Sequence, residues 1–421
     1  MLLSCFFGTT IEWYDFLIYA FLAPIVFDRL FFPKLNPSIG LIAVFGVFAV
    51  GFAARPLGGA FFGHFGDRIG RKPIMIMTLV TMGLSTTLVG LLPTYATIGM
   101  AAPIILTILR FLQGFALGGE NTAGGVLALE SAPDGKRGFF ASLVQSGAAA
   151  GTVLGSLAVS LFAGMNETSL LTWGWRIPFL LSIIIFSVGM YIRLKVEESP
   201  IFEEAVARTK AFRAPIAVAF SRFKLPLLQV ALCSVAESSV FYFTSVFGLA
   251  YGLQTLHLDR GTLLLGVTLG NLVGIVANPF WGWASDRAGR RLVMGGSFAL
   301  AALFVAFAFF PMLASGNNAL VVLAMAIPGA ILQPMSLAVD GSFYPEMFPD
   351  ARVRFTGAAV GKQIGSILGG GIMPAVSATI LASTGGNLTL VILYFVTLCV
   401  VALGAVWSAP ETSERSLSPA S

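Results

Sequence analysis

"GHFGDRIGRK", Gly63–Lys72, is a charged stretch in a strongly apolar chain, and nearly the same pattern returns as "GWASDRAGRR", Gly282–Arg291. Both copies keep the spacing Gly-x-x-x-Asp-Arg-x-Gly-Arg-(Lys/Arg), and the second begins 219 residues after the first. A second pair of segments agrees, because Glu130–Asp134 returns as Glu346–Asp350, 216 residues later. Motifs that recur at about half the chain length predict two halves of like topology.

The composition indicates a protein that is dissolved in lipid. Of 421 residues, 57% are hydrophobic and 11% are charged, whereas a soluble chain is about 25% charged. The three cysteines lie far apart in apolar runs, which is neither a disulfide framework nor a metal-ligand spacing. Two histidines form no cluster, and no nucleotide-binding loop is present. We therefore expect no metal, no cofactor, no nucleic-acid partner and no enzymatic activity.

The apolar runs predict how often the chain crosses the membrane. A bilayer core about 30 Å thick needs roughly 20 apolar residues per helix. Twelve such runs are present, at residues 2–27, 39–62, 73–92, 100–128, 138–163, 175–194, 225–250, 261–284, 292–312, 318–344, 355–382 and 386–408. The sequence predicts an all-α membrane protein of two pseudo-symmetric six-helix bundles, with the first bundle at 1–194, a cytoplasmic linker at 195–224, the second bundle at 225–408 and a cytoplasmic tail at 409–421.

The basic residues predict the orientation of the chain. Lysines and arginines concentrate in the loops on one side, whereas the loops on the other side hold only Arg29, Lys34, Arg176 and Arg260. Loops rich in lysine and arginine stay in the cytoplasm. We therefore expect both termini to be cytoplasmic in a bacterial plasma membrane.

Several strings resemble those of a known family. The repeated Gly63–Lys72 pattern is similar to the signature of the major facilitator superfamily. The strings "EWYDF" (Glu12–Phe16), "RPLGG" (Arg55–Gly59), "RFLQGFALGGE" (Arg110–Glu120) and "WGWRIPF" (Trp173–Phe179) resemble its metabolite:proton symporter branch. This resemblance implies the major facilitator fold and transport of a compound such as shikimate, 2-oxoglutarate, citrate, proline or betaine. It does not name the substrate.

Charged side chains inside a membrane are costly and usually face a cavity or a partner. In the first helix, Glu12, Asp15 and Tyr19 are spaced to share one face, which predicts either a proton-binding face or a structural pair. In the fourth helix, Arg110, Gln113 and Glu120 also share a face. Arginine binds a carboxylate through a two-pronged fork that lysine does not offer. In similar symporters the corresponding arginine helps coupling, so the resemblance implies this role for Arg110.

The C-terminal half has its own set of intramembrane polar residues. Glu237, Asp340 and Lys362 lie in apolar stretches, Gln333 precedes Asp340 by seven residues on the same helix face, and Gln363 follows Lys362. The resemblance implies an aromatic residue before that glutamine, so Lys362 departs from the family pattern. Two interpretations stay open: a salt bridge to Asp340 or Glu237, or a positive charge that attracts an anionic substrate.

The sequence thus favours a monomeric secondary transporter that takes up a small polar metabolite, most simply an organic acid, with protons. Alternatives are uptake of a zwitterionic osmolyte, an antiporter or efflux pump, and a membrane receptor. The repeated motif is expected to gate the transporter, and Asp67→Asn is predicted to slow transport without preventing insertion. The gating residues are Gly63, Asp67, Arg68, Gly70, Arg71 and Lys72 with Gly282, Asp286, Arg287, Gly289, Arg290 and Arg291.

Overall fold

The computed structural model describes residues 2–69, 71–120, 132–133, 135–195 and 215–414, and within these ranges it is helical with no strand. The long helices are α1 Cys5–Phe31, α2 Pro37–Ile69, α3 Arg71–Leu91, α4 Ala101–Glu120, α5 Arg137–Ala163, α6 Arg176–Lys195, α7 Lys224–Gln254, α8 Arg260–Ala288, α9 Arg290–Leu313, α10 Asn318–Glu346, α11 Thr356–Ser383 and α12 Thr389–Ser408. Shorter helices are Tyr95–Ile98, Glu167–Ser169 and Pro215–Arg222.

Most of these helices can cross a bilayer. In the described ranges, ten are long and apolar enough to span a membrane. An eleventh span is bent by 41° between Glu167–Gly174 and Arg176–Met190, and Ile76–Leu91 is a shorter apolar helix. Within the described residues, these twelve segments correspond in order to the twelve runs of the sequence, and they confirm the all-α membrane fold.

Several spans contain a π-helical stretch, which the apolar pattern did not predict. Such a stretch adds a residue to the turn and rotates the rest of the helix, and it occurs often at functional sites. The stretches are Ala23–Phe27, Leu170–Gly174, Tyr242–Phe247, Val305–Phe309, Pro328–Leu332 and Ile367–Ile372.

The packing of the two halves repeats. In the first half α1 packs on α5, α2 on α4 and α3 on α6; in the second half α7 packs on α11, α8 on α10 and α9 on α12. Between the halves, α5 packs on α8 and on α10, and α2 packs on α11. This matched pairing is the structural counterpart of the repeated motifs.

Glycines bring these helices into backbone contact. Gly147 and Gly151 of α5 lie against the carbonyl oxygens of Phe6 and Thr10 on the first helix. The equivalent glycines of α11, Gly365 and Gly369, lie against the carbonyls of Ala231 and Val235 on α7. A side chain at any of these positions would overlap the neighbouring backbone, so the small-residue runs serve close packing.

The helix bundle has two ends of different composition. The basic end is where α2 meets α3 and α8 meets α9, and the opposite end is where α1 and α7 finish. At the basic end Gly289 separates α8 from α9 with a φ of 98°, a backbone conformation that favours glycine. This explains why the second copy of the motif has a glycine before its two arginines.

Candidate functional site

Two buried arginines lie side by side where α2 and α4 touch. Gly114 and Gly118 of α4 pack on the carbonyls of Gly51 and Arg55, which brings the Arg110 side chain into the core of the first half. Arg110 is 0% exposed, and its Nη1 donates to Oε1 of Gln113 at 2.7 Å. Gln113 Nε2 in turn donates to the Thr86 hydroxyl at 2.7 Å. The polar face predicted for the fourth helix therefore forms a connected network.

The Arg110 guanidinium lies on aromatic rings. Its Cζ atom is 4.1 Å from the centre of the Tyr19 ring, 4.7 Å from Phe16 and 5.4 Å from Phe48. Within the described residues, Nε and Nη2 of Arg110 have no hydrogen-bond partner. Buried donors are rarely left unsatisfied, so these two N–H groups mark a place for an acceptor.

Arg55 of α2 connects this site to the second half. Its Cζ atom is 4.1 Å from the Phe52 ring and 4.5 Å from the Phe16 ring. Tyr242 of α7 packs on Phe52 and Phe48, with ring centres 5.4 and 5.6 Å apart. Arg55 also interacts with the Tyr242 side chain, so it lies between aromatic residues of both halves.

The two acidic residues of α1 face different neighbours. Asp15 is 2% exposed and lines a crevice with Met82, Thr86 and Gln113 that has no room for a water molecule. Glu12 interacts electrostatically with Arg55 and with Lys362 of α11. The helical spacing predicted one shared face, but Asp15 points into the first half and Glu12 towards the second.

A cluster of ionisable groups occupies the second half. Lys362 forms an ion pair with Oδ2 of Asp340, which is the salt bridge that one interpretation of the sequence allowed. Glu237 accepts a hydrogen bond from the Tyr344 hydroxyl at 2.7 Å and lies close enough to Asp340 to share a hydrogen bond with it. Both carboxyl groups are buried. Two touching carboxyl groups beside one ammonium can hold a proton between them.

One hydrogen bond joins this cluster to the first half. Gln145 of α5 donates from Nε2 to Oδ1 of Asp340 at 2.5 Å. The two oxygens of Asp340 are therefore bound from opposite halves, one by Gln145 and the other by Lys362.

The second motif copy ties the halves together at the basic end. The Asp286 carboxylate accepts hydrogen bonds from the backbone N–H groups of Gly138 and Phe139, at 2.8 and 2.9 Å. These amides are the first of α5, where a negative charge is favoured by the helix dipole. Arg290 pairs with Asp286 at 2.8 Å and with Glu346 at 3.3 Å.

The residues after α12 complete this arrangement. Glu411 accepts hydrogen bonds from the backbone amides of Arg290 and Arg291, and Thr412 donates to Glu346 at 2.7 Å. Burial raises the pKa of the Glu411 carboxyl, but the amide donors outweigh it and hold that pKa below its ordinary value.

The other predicted residues are more widely placed. Gln333 is buried in α10, and Gln363 accepts a hydrogen bond from Ser366 on its own helix. Arg287 stacks on Trp283, and Arg291 donates to the carbonyl of Trp407. The described part of the structure does not include Gly70 or the side-chain environment of Gly63. It also leaves out the side chains of Asp67, Arg68, Arg71, Lys72 and Glu120.

Arg55 and Gln145 were not among the sequence candidates. Arg55 carried a usable signal, because a charged residue inside an apolar run needs a partner or a cavity. Gln145 carried none, since it is uncharged and its partner Asp340 lies 195 residues away.

Comparison with known proteins gives a consistent result. Residues 1–218 match the family "Sugar (and other) transporter", and residues 253–421 match "Major Facilitator Superfamily". The shikimate transporter of Escherichia coli K12 is 38% identical over 403 residues, covering 95% of this chain and 91% of that protein. The proline/betaine transporter of Salmonella typhimurium LT2 is 34% identical over 424 residues, covering 97% and 83%.

Solved structures show the same fold. A partially occluded, inward-open structure of the xylose transporter from E. coli superposes with a TM-score of 0.74 at 16% identity, covering 99% of this chain and 98% of that one.

Proposed function

The chain belongs to the major facilitator superfamily, in the branch with the shikimate and proline/betaine transporters, and we propose that it imports a small organic acid together with protons. It is a multi-pass membrane transporter and not an enzyme. In this proposal the halves rock about the buried charges, and the basic end faces the cytoplasm of a bacterial cell. The protein would work as a monomer.

The observation that carries this proposal is the pair of unpartnered donors on Arg110. Nε and Nη2 of one guanidinium are spaced to bind both oxygens of a carboxylate, and the neighbouring Arg55 adds a second positive charge. Their burial would strengthen the attraction for an anion, because the dielectric constant is low there. A neutral substrate would leave Nε and Nη2 of Arg110 without an anionic acceptor.

A zwitterionic osmolyte is the second candidate. Oδ1 of Asp15 has no hydrogen-bond partner within the described residues and lines the same crevice as Gln113. If the crevice widens when the transporter opens, this oxygen could accept an ammonium group. Against a quaternary amine such as betaine, the aromatic faces of Tyr19, Phe16 and Phe48 are already occupied by Arg110. These rings are therefore not free to bind the methylated cation of a substrate.

Proton coupling is assigned to the buried carboxyl groups. Glu237 and Asp340 are in contact and share Lys362, so adding or removing one proton changes the net charge of the cluster. Asp15 is a further candidate in the first half. A transporter moves between states when a bound proton stabilises one of them more than the other.

The test is a thermal-shift screen of the purified protein in detergent. Shikimate, dicarboxylates, proline and glycine betaine are compared at equal concentration. The proposal expects stabilisation by an organic acid, lost in Arg110→Gln, with betaine giving none. Stabilisation by betaine alone would favour the osmolyte transporter instead.

A further inference from the structure

The hydrogen bond between Gln145 and Asp340 crosses between the two halves at the level of the ionisable cluster. Gln145 Nε2 donates to Oδ1 at 2.5 Å, while Lys362 of the second half binds Oδ2. One carboxylate thus has two donors, and only the donor from α5 is lost when the halves separate.

The packing around this bond fixes its geometry. Gly341, next to Asp340 in α10, lies so close to α5 that an added Cβ would be 3.2 Å from Ala141 and 4.0 Å from Cγ of Gln145. The carboxylate also faces Glu237 of α7 and Lys362 of α11, and Glu12 of α1 acts on that lysine. Gln145 is the uncharged member of this group, so its amide responds to the charge on Asp340 without titrating itself.

We propose that Gln145 is a positioning residue that makes closure of the basic end depend on the ionised form of Asp340. The inference rests on the proposed function, since it explains how a proton would control the transporter. An ionised carboxylate accepts a hydrogen bond about twice as strong as a neutral one does. Protonation of Asp340 therefore weakens the link between α5 and α10 and frees the basic end to open.

This dependence couples opening of the basic end to protonation of Asp340. With Asp340 ionised, Gln145 holds the halves together and the site is not exposed at the basic end. With Asp340 protonated, the hold is weakened and the loaded transporter opens. Loss of the proton restores the bond, so opening without a proton is suppressed.

The experiment measures the distance between the halves directly. Spin labels are placed at Lys136 and Leu292, both exposed near the basic end, in the full-length protein with its three cysteines replaced by alanine and reconstituted in nanodiscs. Pulsed electron resonance then gives the open fraction at pH 8 and at stepwise lower pH. In the parent protein, we expect the open fraction to rise on acidification.

The variants give distinct expectations. Gln145→Leu raises the open-to-closed ratio at pH 8 by roughly fivefold to tenfold and removes its pH response, as Asp340→Asn also does. Gln145→Glu opens the basic end at pH 8, because two carboxylates then face each other. Gln254→Leu is the matched control: Gln254 also donates to an aspartate across the halves, to Asp28 at 3.4 Å, but at the opposite end. It keeps the pH response of the parent at the basic end.

The outcomes separate this inference from the proposed function. If Gln145→Leu keeps the closed distance and the pH response of the parent, the inference is wrong even when uptake is proton-driven. If the distances behave as expected but uptake ignores the proton gradient, only the proposed function fails. A transport readout adds to this: Gln145→Leu retains substrate exchange between equal pools but loses accumulation, a split that a purely structural role would not produce.

Discussion

The guanidinium carbon of Arg110 lies 4.1 Å from the ring of Tyr19, and the two side chains come from different helices of the first half. The Tyr19 hydroxyl is itself fixed, because it donates to the carbonyl of Val44 at 3.1 Å. The cation is thus held in place by an aromatic surface, which leaves two of its nitrogens free of partners among the described residues. This arrangement prepares Arg110 to bind a carboxylate.

Replacement of Arg110 by lysine is expected to reduce apparent substrate affinity by about tenfold to a hundredfold, because one ammonium does not reproduce the fork. Uptake kinetics in membrane vesicles measure the effect. Gln113→Glu is a useful companion, since a carboxylate there would pair with Arg110 and compete with the substrate. Unchanged affinity in Arg110→Lys would argue against a substrate contact.

The ion pair of Lys362 and Asp340 predicts a double-mutant cycle. Lys362→Met leaves two buried carboxyl groups without their cation. The expected cost is about 1–3 kcal/mol of folding free energy, less than for a fully buried pair, because the Lys362 side chain is 32% exposed to solvent. Asp340→Asn alone leaves the lysine unpaired but still beside Glu237. The double variant should recover part of the loss, as measured by thermal unfolding in detergent. Additive effects would show that the pair does not couple.

Asp286 predicts a gating phenotype. Asp286→Asn weakens the cap on α5 and the pairing with Arg290, so the open-to-closed ratio at the basic end should rise by roughly fivefold. Thiol labelling of a cysteine introduced near Gly138 measures this opening. The control is Asp259→Asn, because Asp259 caps α8 through Thr262 within one half and at the opposite end. An equal response of both variants would contradict the gating role.

Glu411 predicts a pH dependence with a definite sign. Its pKa is lower in the folded protein than the ordinary value of about 4.3, so its contribution to stability is complete above that value. The contribution is lost as the pH falls through the lowered pKa of the folded state. Between pH 5 and pH 8 Glu411 stays ionised. The backbone amides of Arg290 and Arg291 should therefore keep constant hydrogen-exchange protection factors over this range. Hydrogen exchange measures them, with Glu411→Gln as the comparison.

Close packing of α2 and α4 predicts a sharp difference between two glycines. A Cβ on Gly114 would overlap the carbonyl of Gly51, whereas Gly46 has no atom within 4 Å of that position. Gly114→Ala is expected to destabilise the protein by about 1–3 kcal/mol and to displace Arg110, while Gly46→Ala is neutral. The unfolding temperature and the uptake rate of both variants test this difference. Equal behaviour would mean that the contact relaxes without consequence.

The parts of the fold that could be predicted are those with a periodic signal. Twelve apolar runs and the repeated motif led to the correct helices because each depends on composition or on exact spacing. The π-helical stretches escaped because they lie within uniformly apolar runs, such as Tyr242–Phe247, where no residue type marks the extra turn.

The sequence predicted individual site residues within one helix, but not the contacts between helices. Arg110 and Gln113 were found because their spacing places them together on one helix, and the structure joins them. For Lys362 the sequence left two partners open, since the choice between Asp340 and Glu237 depends on how three helices are rotated. Gln145 was missed for the same reason, because its role depends on a contact between halves.

Accumulation in proteoliposomes tests the central claim most directly. Purified protein is reconstituted without an imposed sodium gradient, and uptake of the organic acid that stabilises it is followed under a pH gradient, alkaline inside, with the membrane potential clamped. We predict accumulation above the value that passive distribution of the acid gives in protein-free liposomes. A protonophore should abolish that excess, and Arg110→Gln should not show it. Uptake that is indifferent to the protonophore, or that requires a sodium gradient, would contradict proton-coupled transport.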